Sequence, residues 1–181
     1  LPLIGGGIAV MLGSGLLATG YRRGLVSAEE LATCAWHLTT LNRRAAEVLT
    51  AFPVSAATDV TGFGLIGHSL GMTRHGGVSL HIDCRRLPIY DGALRLAAAH
   101  VTCGGARNNR QAFASLVAVH PDVTEALCEL LYDPQTSGGL LLALPAERCE
   151  EAISALRSAS VPAALIGEVT KSTSHPLYAY C

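Results

Sequence analysis

Helical and strand-like patterns are mixed along this chain without a regular strand–helix alternation. Of all the sequence features, this mixture most narrows the set of folds that the chain can adopt. Ser27 and Glu30 form a capping box, apolar residues then recur at helical spacing, and Pro53 ends this long predicted helix. Further helices are predicted at 65–75, 91–100 and 146–160, and strands at 54–58, 78–83, 140–145, 163–170 and 177–180. The mixture favours an α+β fold with a layered sheet over a doubly wound one.

Two further elements are predicted, one at the start of the chain and one just before the polar segment at 133–139. Residues 1–20 predict a strand, a glycine turn and the start of a helix, and Asp122 with Glu125 predicts a capped helix that ends near Tyr132. The first 20 residues carry no charge, but their glycines and the late position of the basic residues argue against a membrane span or a signal peptide.

The composition excludes several classes of function. Hydrophobic residues make up 50% and charged residues 15% of 181 residues, which gives enough apolar material for a core. The net charge of −1 and the lack of long basic runs argue against nucleic acid binding and against a basic membrane-surface helix. The length fits a single domain, residues 1–181, and the absence of an initiator methionine suggests a piece of a longer protein.

The six cysteines are irregularly spaced and form no C-x-x-C pair. In a chain of this length, such spacing is typical of buried, reduced thiols in a cytoplasmic protein and not of a disulfide framework or a metal cage. The seven scattered histidines are interpreted as surface or core residues and not as ligands.

The segment TDVTGFG, residues 58–64, places a carboxylate at the mouth of a glycine-rich turn. Glycines allow a ligand to approach the backbone closely, and a helix that starts near Leu65 would favour a phosphate at its N-terminus. A carboxylate beside a phosphate requires a cation between them, so Asp59 is a candidate Mg²⁺ ligand. The alternative is that Asp59 caps a turn or helix.

Two further polar segments punctuate the chain. The DPQTSGG segment (residues 133–139) combines a turn signal with the hydroxyls of Thr136 and Ser137. The GGARNNR segment (residues 104–110) offers Arg107 and its neighbours to an anion such as a phosphate. By itself, the first is more typical of an ordinary turn before the strand at 140–144, and the second of a solvated loop.

The two motifs TDVTGFGLIGH and DPQTSGGLL, with GGARN between them and LGSGLL near the start, together resemble selenophosphate synthetase (selenide, water dikinase). The resemblance covers essentially the whole chain, but it corresponds to the C-terminal domain of that family. It implies the three-layer α/β/α fold of the superfamily that includes aminoimidazole ribonucleotide synthetase.

The resemblance also implies a function. Members convert ATP, selenide and water into selenophosphate, AMP and phosphate with the help of Mg²⁺, for selenocysteine synthesis. The aspartate of their DVTGFG motif binds metal, which assigns Asp59 as a metal ligand and Thr61, Gly62 and Gly64 as the cofactor-binding turn. The family's catalytic Cys or selenocysteine and most metal ligands belong to an N-terminal domain with no counterpart here, and full-length members are expected to be homodimers.

The resemblance leaves some points open. The family commonly has Lys-Pro where this chain has Val10 and Met11, so that lysine's role is not carried over. We hypothesise that the DPQTSGG and GGARNNR segments line the cleft toward the missing domain, and that this chain alone is inactive. Two alternatives are an interaction module that docks a full-length synthetase, and a related ATP-dependent enzyme with another acceptor.

Overall fold

The computed structural model describes residues 2–6, 11–74 and 76–181, and of residues 2–6 the backbone alone. Within these ranges the strands are β1 Pro2–Gly6, β2 Ala56–Asp59, β3 Val78–Asp83, β4 Val117–Val119, β5 Leu140–Ala143, β6 Ala163–Lys171 and β7 Leu177–Tyr180. The α-helices are α1 Ser14–Arg22, α2 Ala28–Thr39, α3 Arg43–Leu49, α4 Gly64–Thr73, α5 Ala93–Ala98, α6 Gly104–Phe113, α7 Glu125–Tyr132 and α8 Ala146–Ser158.

The strands form a seven-stranded mixed sheet in the order β2-β5-β1-β6-β3-β7-β4. Strand β7 runs parallel to β3 and β4, and the other neighbouring pairs are antiparallel. Strand β2 lies at one edge and pairs only with β5, so that Asp59 is opposite Leu140 at the end of the ladder. The end of β2 therefore opens directly into the turn that follows Asp59.

The alternation of β5 shows how the sheet is covered on both faces. Leu141 and Ala143 pack in a core with α4 and α7, whereas Leu142 packs on the opposite face with α3 and α8. Helices α1, α2 and α5 enclose a further apolar cluster, which reaches α7 through Leu130. The predicted α+β class and its three-layer α/β/α arrangement are confirmed.

The long helix predicted up to Pro53 is wrong, because the chain breaks between α2 and α3. The hydroxyls of Thr39 and Thr40 both donate to the carbonyl of Trp36 and compete with the helical hydrogen bonds. Asn42 then donates its side-chain amide to the carbonyl of Gly138, 3.0 Å away, on the neighbouring DPQTSGG segment. A tertiary contact thus accompanies a break that apolar spacing could not indicate.

Two other local predictions also differ from the structure. Helix α7 is capped by Thr124, whose hydroxyl accepts the N–H of Leu127, while Asp122 instead lies against His120. Strand β4 was not predicted, since its three residues are too short to show an alternation. The predicted turn after β1 and the predicted helix end at residue 75 fall partly or wholly outside the described residues.

Candidate functional site

Asp59 is the last residue of edge strand β2, and the alternation of the strand turns its side chain toward solvent while Val60 is fully buried. Within the described residues, its carboxylate takes part in no hydrogen bond or salt bridge that meets normal geometry. The negative charge of Asp59 influences His68. Burial lowers the pKa of His68, and the charge of Asp59 partly offsets this by raising it. Asp59 is therefore available as an oxygen ligand, and it does not cap a helix.

The TGFG turn (residues 61–64) connects Asp59 to α4. The hydroxyl of Thr61 shares a hydrogen bond with Nε2 of His68, 3.0 Å away, and the carbonyl of Thr61 accepts the N–H of Gly64 at 3.0 Å. Gly64 has φ +67, a left-handed conformation that glycine adopts without strain. Gly62 instead borders open space, since a Cβ there would have no neighbour within 4 Å.

The TGFG turn and the DPQTSGG segment are packed against each other. The N–H of Val60 donates to the carbonyl of Gly139 at 2.9 Å, and the N–H of Gln135 donates to the carbonyl of Thr61 at 3.0 Å. A Cβ on residue 138 would lie 1.9 Å from the carbonyl oxygen of Val60. The backbones thus approach so closely that Gly138 is required by the contact itself.

Asp133 has a structural position that the sequence did not predict. Its carboxyl group is fully buried and lies at the N-terminus of α1, where it accepts the backbone N–H of Gly15 at 3.0 Å. Gln135 donates to the same carboxyl group at 3.0 Å and accepts from the hydroxyl of Ser14 at 3.0 Å. Burial raises the pKa of Asp133 to about 7, and the hydrogen bonds that it accepts oppose this rise.

The GGARNNR segment is part of helix α6 and not the polar loop that its composition suggested. Asn109 is 6% exposed and points into the protein, whereas Arg107 and Asn108 are exposed. Arg110 forms a salt bridge with Glu125. The signal that could have identified the helix is the spacing of Ala106, Asn109 and Phe113 on one face.

A groove of about 840 Å³ lies beside β2 and α4. Ala57 and Thr58 line it from the strand, and Phe63 and Phe113 line it with rings that meet edge to face at a centroid distance of 6.2 Å. Phe63 is 61% exposed, although it belongs to the TGFG turn. The groove thus adjoins the TGFG turn through Phe63, whereas Asp59 does not line it.

A complete metal centre is not found in the part of the chain that the structure describes. No group of three or more His, Cys, Asp or Glu side chains there could hold a metal ion. A hard cation prefers six or more oxygens, and the exposed carboxylate of Asp59 fits such an ion as one ligand among several. The other ligands would have to come from a nucleotide, from water or from residues beyond this site.

The cysteines are all unpaired thiols, and Cys34, Cys84, Cys128 and Cys149 are buried. This agrees with their interpretation as core residues. Among the described residues, no helix combines the length and hydropathy that crossing a membrane requires.

The comparison with protein families matches residues 4–178 to the family described as AIR synthase related protein, C-terminal domain. The chain therefore belongs to this family of C-terminal domains.

Within the family, the chain is similar to bacterial selenide, water dikinases, and the resemblance inferred from the motifs is confirmed. It is 40% identical over 160 residues to the enzyme of Nitratidesulfovibrio vulgaris strain Hildenborough, covering 87% of this chain and 45% of that protein. It is 39% identical over 160 residues to the enzyme of Myxococcus xanthus, covering 87% of this chain and 46% of that protein. The chain spans about half the length of the curated relatives it matches.

Solved structures share the fold. Thiamine-monophosphate kinase from Stenotrophomonas maltophilia has a TM-score of 0.64 at 16% identity, covering 98% of this chain and 49% of the kinase. The hydrogenase maturation protein HypE in complex with ATP has a TM-score of 0.56 at 25% identity, covering 95% of this chain and 42% of HypE.

Proposed function

We propose that residues 1–181 form a single domain that acts as the C-terminal half of a cytoplasmic, homodimeric enzyme. The enzyme makes selenophosphate from ATP, selenide and water and releases AMP and phosphate. The similarity to selenide, water dikinases supports the reaction, and the ATP complex of HypE supports the nucleotide. The observation that carries the proposal is the exposed Asp59 carboxylate at the end of β2, two residues before the TGFG turn.

Asp59 would hold Mg²⁺ through a carboxylate oxygen, while Thr61, Gly62 and Gly64 would form the backbone turn beside the phosphates. The cation, when bound, would neutralise charge on the phosphoryl groups. Gly62 leaves room for a close approach, and Gly64 directs the chain into α4, whose N-terminus favours negative charge. Phosphoryl transfer needs several charge-neutralising groups, so one carboxylate without the other half would not sustain turnover.

The test compares Asp59→Asn with Asp91→Asn in the full-length enzyme. Both replace an exposed carboxylate, and Asp91 lies in the segment before α5. We expect Asp59→Asn to lower the rate of AMP and selenophosphate formation, followed by ³¹P NMR, by about 100-fold or more, because charge stabilisation of a transition state is lost. Asp91→Asn should retain wild-type activity.

The isolated chain should bind Mg-ATP weakly and form no selenophosphate. Turnover by the isolated chain would contradict the assignment of the missing half, and full activity of Asp59→Asn would contradict the metal role. Formation of AMP that depends on an acceptor other than selenide would instead identify a different member of the superfamily.

A further inference from the structure

We infer that Asn109 is a positioning residue for the candidate site. Its side-chain amide fixes the TGFG turn and thereby the place of the Asp59 carboxylate. The inference rests on the proposed function in so far as the carboxylate is taken to bind a cation.

Asn109 joins two backbone segments that are distant in the sequence. Its Nδ2 group donates to the carbonyl of Gly62 at 2.9 Å and to the carbonyl of Tyr132 at 2.9 Å. Gly62 is in the middle of the TGFG turn, and Tyr132 is the last residue of α7. Because the two N–H bonds of one amide are used on two carbonyls, the turn and the end of α7 are held at a fixed separation.

The TGFG turn is packed against α7 and α6, so it has little room to move if the hydrogen bond from Asn109 is lost. A Cβ on Gly64 would be 2.9 Å from both the carbonyl carbon and oxygen of Tyr132, so the turn already touches the end of α7. One helical turn after Asn109, the ring of Phe113 packs against Phe63. Helix α6 therefore braces the TGFG turn with one polar and one aromatic contact.

The type of residue at position 109 also indicates a specific role. Asn109 is 6% exposed, and a buried carbonyl without a donor is costly. An apolar residue would leave the carbonyls of Gly62 and Tyr132 without this donor. Groups that orient a metal ligand through hydrogen bonds commonly change metal affinity when they are replaced.

The experiment uses the full-length enzyme and the isosteric change Asn109→Asp, which keeps the side-chain shape but removes the donor. Gln111→Glu is the matched control, because it makes the same amide-to-acid change at an exposed position of α6 outside the GGARNNR segment. Leu156→Ala controls for lost stability, since Leu156 is fully buried on the opposite face of the sheet. The first readout is hydrogen exchange of the Gly64 amide, whose N–H donates to the carbonyl of Thr61 within the turn. The second is binding of Mn²⁺ with a non-hydrolysable ATP analogue, followed by electron paramagnetic resonance.

For Asn109→Asp we expect amide exchange in the turn to become about tenfold faster, as the loss of about one net hydrogen bond would produce. The Mn²⁺ affinity should fall by about 10- to 100-fold. Gln111→Glu and Leu156→Ala should match the wild type in both readouts when measured well below their unfolding temperatures.

The inference is overturned if Asn109→Asp leaves exchange in the turn unchanged, or if Leu156→Ala weakens Mn²⁺ binding equally. Asp59→Asn separates the role of Asn109 from the metal role of Asp59. If it weakens Mn²⁺ binding while Asn109→Asp does not, only the role of Asn109 is wrong. If Asp59→Asn binds Mn²⁺ like the wild type, the proposed metal role fails, and the positioning of a metal ligand fails with it.

Discussion

The carboxyl group of Asp133 accepts the backbone N–H of Gly15 at 3.0 Å, although 118 residues separate the two in the chain. A Cβ on residue 15 would lie 2.6 Å from a carboxyl oxygen of Asp133, so the glycine is part of the contact. The start of α1 and the DPQTSGG segment therefore form one structural unit. This unit contacts the TGFG turn through Gln135, whose backbone N–H donates to the carbonyl of Thr61.

The burial of Asp133 should appear in the pH dependence of stability. Its pKa rises from its ordinary value of 3.8 to about 7 on folding, so the folded protein retains a proton that the unfolded chain releases. Asp133 therefore contributes stability below pH 4 that is lost as the pH rises to about 7, by roughly 4 kcal/mol in all.

Asp133→Asn removes this titration. Unfolding free energies of the variant and the wild type are measured with urea between pH 4 and 7.5. The difference, variant minus wild type, should increase with pH, because the contributions of the other carboxylates cancel. Parallel stability curves for the two proteins would show that Asp133 keeps its ordinary pKa.

The contact between Gly138 and Val60 should make residue 138 intolerant of a side chain. Gly138→Ala places a Cβ 1.9 Å from the carbonyl oxygen of Val60, and this backbone cannot move without displacing β2. We expect a loss of at least about 2 kcal/mol of stability. Gly71→Ala is the control, because residue 71 is helical with open space around it and should gain up to about 1 kcal/mol. Equal stabilities of the two variants in urea unfolding would rule out the tight contact.

Alanine substitutions at Gly62 and Gly64 should have different effects, the first on nucleotide binding and the second on stability. Gly62→Ala meets no atom within 4 Å and should leave the unfolding temperature of the full-length enzyme unchanged, while it hinders the close approach of a nucleotide. Gly64→Ala meets the backbone of Tyr132 and has φ +67, so it should lower stability by about 1 kcal/mol or more. Thermal unfolding and the Michaelis constant for ATP test the pair. An unchanged Michaelis constant in Gly62→Ala would remove residue 62 from the binding turn.

Arg107 and Thr136 test whether α6 and the DPQTSGG segment face the nucleotide. Both residues are exposed, so Arg107→Ala and Thr136→Ala should change stability by no more than about 0.5 kcal/mol. We expect each to lower kcat/KM in the full-length enzyme by about tenfold, the effect of losing one charge-assisted or hydroxyl hydrogen bond. Full activity of both variants would indicate that these surfaces lie outside the cleft.

The thiols should react with iodoacetamide in the order of their exposure. Cys103 and Cys181 are partly exposed, and the other four thiols are buried. Burial raises the pKa of Cys103 as well as that of Cys84, which it raises to about 12. Because the thiolate is the reactive form and must also be reached by the reagent, the buried thiols should be labelled at least about tenfold more slowly than Cys181 at pH 8. Peptide mass spectrometry after timed labelling measures this order, with urea-unfolded protein as the control in which all six react. Early labelling of Cys84 would contradict its burial.

The sequence by itself determined the class of the fold and most, but not all, of its local elements. The capping box of Ser27 and Glu30 forms as predicted, with Ser27 accepting from Glu30 at 3.1 Å. Asp59 and its turn could be singled out because a carboxylate before glycines is an unusual pattern in a chain with so few charges. Such features depend on residues that are close together in the chain, and these can be read directly from the sequence.

Only the tertiary structure decided what the polar segments do. Asn109 and Asp133 looked like candidates for a ligand or a turn, but each forms hydrogen bonds to backbone groups brought close by folding. The contact of Asn42 with the carbonyl of Gly138 and the requirement for a glycine at residue 138 likewise depend on segments that are distant in the sequence. A buried polar side chain is placed by the donors and acceptors that surround it, and these are defined only once the sheet and its helices have assembled.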